Sequence, residues 1–186
     1  MTLLTGGFHD APRQSARAFR LALNALSRPG RIETVSGAEG PAPLSAAAAT
    51  LLLVLADRDT PIHLGASHDV QAVRDWITFH TGAPFVAPEA AMLALGTWDT
   101  LPRARFPLGL PDYPDRSATL IVETATLTTE GPRLTGPGIQ TEAHLSLPEV
   151  TAFQENRALF PQGLDFFFTC GARLAALPRS TRVEAV

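Results

Sequence analysis

Lysine is absent from this sequence. All 15 basic residues of the 186-residue chain are arginine. Without a lysine amine the chain cannot form a Schiff base with pyridoxal phosphate. Without Gly-Lys-Ser/Thr it cannot build a phosphate-binding P-loop. Cysteine is nearly absent as well. Cys170 stands alone, which excludes an internal disulfide, a multi-thiolate zinc site and a cysteine-held iron–sulfur cluster. There is no basic excess: 18 acidic residues against 15 basic ones give a formal charge of -3, so nucleic-acid binding is disfavoured. No charged segment followed by an apolar run opens the sequence, so no signal peptide is expected. The longest strongly apolar stretch, 44–56, is too short to cross a bilayer, so no membrane partner is expected. A cytoplasmic location follows by default.

What remains is a globular composition. A hydrophobic share of 45% with only 18% charged residues argues against disorder. The length suits one domain over residues 1–186, with a full core.

The pattern along the chain predicts interleaved helices and strands. Asp10-Ala11-Pro12 reads as a capped helix start. Phe19, Ala22, Leu23 and Leu26 follow at helical spacing as one apolar face, and Ser27-Arg28-Pro29-Gly30 stops the helix. A short strand at 32–35 precedes a turn-rich connection. Ser45 caps a second helix running to residue 56, apolar nearly all round and therefore buried. A strand at 61–64 leads to a third helix, started by Ser67 or Asp69 and ended by Thr81-Gly82-Ala83-Pro84. Strands are expected at 92–96, 118–125, 133–135 and 164–169, with weak alternation at 144–147. A helix is expected at 148–159, and 173–177 with 181–184 reads as a closing β pair. Residues 101–114, rich in Pro and Arg, form a surface loop. The sum is an α/β fold: a mixed sheet flanked by helices.

Candidate chemistry is sparse. His63 and His68 lie five apart beside Asp69, but no further ligands accompany them, so no metal site is expected. Asp57 and Asp59 flank Arg58 in a tight loop. Two such carboxylates can share acid–base work or hold magnesium, yet Asx side chains more often bond local backbone, so Asp57, Asp59 and Thr60 are read as structural loop residues. Gly136-Pro137-Gly138 lacks the rest of a dinucleotide fingerprint and reads as a turn. Cys170 has no base partner in sequence and reads as packing. Arg28, Arg179 and Arg182 lie in or beside turns, where a planar fork can reach an anion. No nucleophile–base pair is visible. The residues fit an interaction protein or an anion-binding subunit better than a self-contained enzyme. The rival reading is a stand-alone, Arg-lined hydrolase or transferase acting on phosphorylated small molecules.

Five blocks carry a family likeness: FRLALNALSRPGRI, LLLVLADRDTPIHL, FHTGAP, LTGPGI and FPQGLDFFFTCGARLAALPRSTRVE. Together they span residues 19–184, and the chain resembles the H subunit of the bacterial carbon–phosphorus lyase core complex. The resemblance implies a role in phosphonate degradation. In that role the complex replaces the adenine of ATP with a phosphonate, giving a ribose-linked phosphonate triphosphate, ahead of C–P bond cleavage. It implies a fold similar to the large domain of pyridoxal-phosphate-dependent transferases, without that cofactor and with no other cofactor. It implies a homodimer in isolation and partners in subunits G, I and J. No catalytic residue carries over. Arg28, His80, Arg179 and Thr181 are the candidates for an anion or partner contact, with Arg179 first because it follows Pro178 at a sharp exit from a strand.

Overall fold

The first helix, α1 (Ala11–Ser27), begins where expected but by other means. The Asp10 carboxylate does not cap it; the Gln14 side-chain oxygen accepts the Asp10 N–H instead, at 2.8 Å. Its buried face differs too. Ala18, Ala22 and Ala25 face the core, while Phe19 and Leu23 are 50% and 54% exposed. Small residues let α1 approach the sheet closely, and this leaves the larger apolar side chains outside. The computed structural model describes residues 4–185.

The remaining elements follow in order: β1 (Glu33–Thr34), α2 (Ala46–Leu55), β2 (Ile62–Leu64), α3 (Gln71–Thr81), β3 (Leu93–Thr97), β4 (Thr119–Glu123), β5 (Arg133–Thr135), β6 (Ala143–His144), α4 (Val150–Ala158), β7 (Asp165–Cys170), β8 (Arg173–Leu177) and β9 (Arg182–Glu184). Ser45 does cap α2, its hydroxyl accepting the Ala48 N–H at 3.1 Å. Helix α3 starts later than Ser67 or Asp69, because that segment folds as a turn on the Gly65 carbonyl. Gly82, left-handed at φ 69°, ends it.

Six strands form a mixed sheet in the order β1-β8-β7-β4-β3-β2. Strands β2, β3, β4 and β7 are parallel, whereas β8 runs antiparallel to both β7 and β1. Both sheet faces are covered, so its strands read as continuous apolar runs. The alternation is visible only in where side chains go. Leu95, Ile121, Phe167, Leu174 and Ala176 pack with α1, α2 and α3. Ala94, Leu120, Val122, Phe166, Phe168, Ala175 and Leu177 pack on the opposite face with Phe153 of α4, Leu134 of β5 and Val183 of β9. Each large side chain so buried contributes about 1.5–3 kcal/mol.

The expected closing β pair is corrected by the structure. β8 completes the large sheet, while β9 joins β5 and β6 in a separate three-stranded antiparallel sheet. The edge of β8 is taken by β1, and Pro178–Ser180 turns the chain out of one sheet into the other, with Thr181 N–H donating to the Pro178 carbonyl at 2.9 Å.

Candidate functional site

Four parallel strands end on one edge of the large sheet, the edge where open α/β sheets hold ligands. A buried polar cluster sits there. After β2, Gly65 turns the chain so that Ser67 and His68 lie over the strand ends. An added Cβ on Gly65 would stand 2.7 Å from the Thr100 hydroxyl, so glycine makes room for that side chain. Ser67 Oγ accepts the Thr97 N–H at 3.0 Å and meets Thr100 Oγ1 at 2.8 Å and His68 Nδ1 at 2.9 Å.

His68 is 2% exposed and its Nε2 has no hydrogen-bond partner. The nearest charge is Glu123 Oε1, 3.9 Å away. Glu123 ends β4 and ties two elements together. One oxygen accepts the Ser45 N–H at the start of α2, at 2.7 Å, and the other accepts the Thr169 hydroxyl of β7, at 2.9 Å. A carboxylate at a helix N-terminus is favoured by the helix dipole. The Thr100 hydroxyl also donates to the Thr97 carbonyl at 3.2 Å, so Thr97, Thr100, Ser67 and His68 form one connected polar network above the strand ends. Burial pushes the His68 ring below its ordinary value, with Glu123 and the Pro43 carbonyl pulling the other way. The cluster therefore holds a neutral imidazole among hydroxyls. It presents no exposed nucleophile.

Arg179 lies at the opposite edge of the sheet. Its guanidinium donates to both oxygens of Asp165 at the start of β7, to the Pro114 carbonyl at 2.7 Å and to the Ser117 hydroxyl. Its backbone N–H also donates to Asp165, at 2.8 Å. The side chain is 12% exposed, and it ties the 108–117 loop to β7 and to the exit of β8.

The other sequence candidates are scattered. Arg28 is exposed at the end of α1, and among the described residues its guanidinium has no ion-pair or hydrogen-bond partner. His80 packs on the Trp76 ring with centroids 4.6 Å apart, and its ring is lowered by burial against the pull of the Leu4 and Thr5 carbonyls. Thr181 is buried with an unpartnered hydroxyl. Asp57 accepts from Asp59 N–H at 2.9 Å and from the Thr60 hydroxyl at 2.8 Å, which hold its carboxyl below the ordinary value, the Thr60 bond most. Asp59 points to solvent. His63 contacts the Val86 carbonyl at 3.2 Å and the Phe106 ring edge. Cys170 Sγ lies 3.4 Å from the Ala125 carbonyl. Among the described residues no group of three His, Cys, Asp or Glu side chains is placed to hold a metal ion. Sequence reasoning missed Glu123 and Asp165. Each is a lone charge at the end of an apolar strand, and that was the available signal.

Two distant sequence blocks meet in space. Gly138, at φ 82°, abuts the Ser27 carbonyl at the end of α1, where a Cβ would stand only 1.9 Å from that oxygen. Gly30 abuts Ala143 in the same way. The LTGPGI block is thus the seat for the SRPG helix stop. Comparison with known proteins agrees with the likeness carried by these blocks: the family model for bacterial phosphonate metabolism proteins, PhnH, matches residues 6–184. The chain belongs to the PhnH family. A PhnH relative from Rhizobium meliloti (strain 1021) is named as a subunit of alpha-D-ribose 1-methylphosphonate 5-triphosphate synthase. It is 36% identical over 194 positions, covering 98% of this chain and 96% of the relative. A putative C–P lyase subunit protein, HtxG, from Stutzerimonas stutzeri is 33% identical, covering 94% of this chain and 88% of its own. In PhnH terms, the match takes in the His68–Glu123 cluster, the Arg179 node and the seat of α1 alike.

Proposed function

We propose that this chain is a subunit of a bacterial carbon–phosphorus lyase complex, required for making a ribose-linked phosphonate triphosphate from ATP and a phosphonate. The observation that carries this reading is the similarity along 98% of the chain to a relative named as a subunit of that triphosphate synthase. Its partners in this reading are subunits G, I and J, and it is a homodimer in isolation. It works in the cytoplasm, as one domain over residues 1–186. What supports the single unit is that the two apolar clusters lie on the two faces of one sheet.

The fold is read as a relative of the large domain of pyridoxal-phosphate-dependent transferases. A sheet of parallel strands with one antiparallel member, helix-covered, supports that reading, and the absence of lysine supports a cofactor-free version. Arg28, exposed and without an ion pair among the described residues, is open to a partner or an anion. His80 and Thr181 act by shaping the surfaces they underlie. Arg179 reaches a partner only through the loops it holds.

The test is recovery of the tagged chain from its host grown on a phosphonate as sole phosphorus source. Stoichiometric G, I and J subunits are expected, with loss of ribose-linked phosphonate triphosphate when the gene is deleted. Recovery of the chain without them, or unchanged triphosphate in the deletion strain, overturns the proposal.

A further inference from the structure

The buried and exposed faces of α1 are both organised. Its alanine face packs on the sheet. Its outer face carries a second apolar stripe, Ala16, Phe19 and Leu23, at spacings of three and four residues. Along one flank of that stripe run Arg13, Arg17 and Arg20, all exposed. A shallow groove of about 800 Å³ follows this arginine flank. The seventeen residues of α1 include no Asp or Glu. Arg13 reaches Asp10 only at 3.6 Å with both side chains largely in water, and among the described residues no carboxylate lies within ion-pair distance of Arg17 or Arg20. Two half-exposed apolar anchors beside three like charges are unusual for a helix that faces only solvent.

The geometry points to α1 as a docking surface for an acidic amphipathic helix of another protein. The inference rests on the reading above, in which that protein is another subunit of the same complex. The occupant follows from charge. A helix that lays its apolar residues on Phe19 and Leu23 brings its flank over Arg13, Arg17 and Arg20, and Asp or Glu at i, i+4 and i+7 complements them. A second copy offering its own α1 antiparallel would set arginine against arginine. Burying Phe19 and Leu23 supplies the affinity, and the arginines supply orientation and association rate.

The experiment uses the full chain co-expressed with the other core subunits, with photoreactive p-benzoylphenylalanine in place of Ala16. After illumination, mass spectrometry identifies the cross-linked peptide. The expected product is a segment of another subunit with acidic residues at helical spacing. Leu23→Asp, and separately Arg17→Glu with Arg20→Glu, should weaken assembly at least tenfold while the melting temperature of the isolated chain stays put. Reversing the cross-linked partner acids to Lys should restore binding to the arginine-reversed chain. An intact complex with no cross-link, or variants that assemble like wild type, overturns this surface and leaves the subunit reading standing. A cross-link to a second copy of this chain also overturns it. So does flotation of the wild-type chain with phosphatidylglycerol vesicles that is lost on Leu23→Asp. Failure of the wild-type chain to recover any subunit overturns the subunit reading and this inference with it.

Discussion

Arg179→Ala should destabilise the fold, by an amount the geometry sets. The substitution deletes the guanidinium's bonds to both oxygens of Asp165, the bond to the Pro114 carbonyl and the bond to Ser117. The backbone bond from Arg179 N–H to Asp165 survives. Breaking a fully buried ion pair costs about 3–5 kcal/mol, because the remaining charge is left uncompensated. Here the Asp165 side chain is 24% exposed, so water compensates part of the loss and the lower end applies, about 3 kcal/mol. For a chain of this size each kcal/mol shifts the melting temperature by about 2–4 °C, which gives a fall of about 6–12 °C. Arg179→Lys keeps the charge but cannot span the carboxylate and the loop carbonyl together, so it should fall between the two. The assay is thermal unfolding by circular dichroism, with urea titration as a check. A melting temperature within about 2 °C of wild type, accompanied by lost assembly, would refute this reasoning and make Arg179 a direct contact residue.

Three further outcomes follow from the geometry. His68 and His80 are held below their ordinary value when folded, so the unfolded chain takes protons first. Stability is therefore full above about pH 6.5 and drains as pH falls toward the lower folded values. The urea midpoint should be lower at pH 5.5 than at pH 7.5, and the drop should shrink in His68→Gln; an undiminished drop counts against the buried neutral ring. Gly138→Ala combines a left-handed backbone with a Cβ only 1.9 Å from the Ser27 carbonyl, and should cost more than about 2 kcal/mol in a urea titration. Gly171→Ala has φ 60° but nothing within 4 Å, so it should cost about 1 kcal/mol, and equal costs at the two sites would show that the close approach is immaterial.

The central strands were legible because β4 and β7 are buried on both faces and read as unbroken apolar runs. The same continuity hid which side chain faces which layer. Helix α2 was legible for a similar reason: six consecutive residues from Ala47 to Leu52 are buried. Helix α1 was placed correctly but turned the wrong way, since hydrophobicity favours Phe19 and Leu23 while close packing favours Ala18, Ala22 and Ala25. The strand at 181–184 was found, but its pairing was not. Partner choice depended on β5, fifty residues away, and nothing local encodes that. Ser67, His68 and Glu123 were invisible as a group for the same reason. Ser67 and His68 follow β2 while Glu123 ends β4, and only the parallel registration through β3 brings them together.

The segment from β8 to β9 also dictates the order in which the two sheets can be completed. β1 has no partner until β8 exists, and β5 has no third strand until β9 does. A chain folded only as far as Gly171 therefore leaves the edge of β7 without its cover, with Phe166, Phe167 and Phe168 on that strand. Completion of both sheets must wait for Arg173–Leu177 and Arg182–Glu184. Until that segment has formed, β7 keeps an unpaired edge beside three consecutive phenylalanines, the kind of surface on which incompletely folded chains pair with one another.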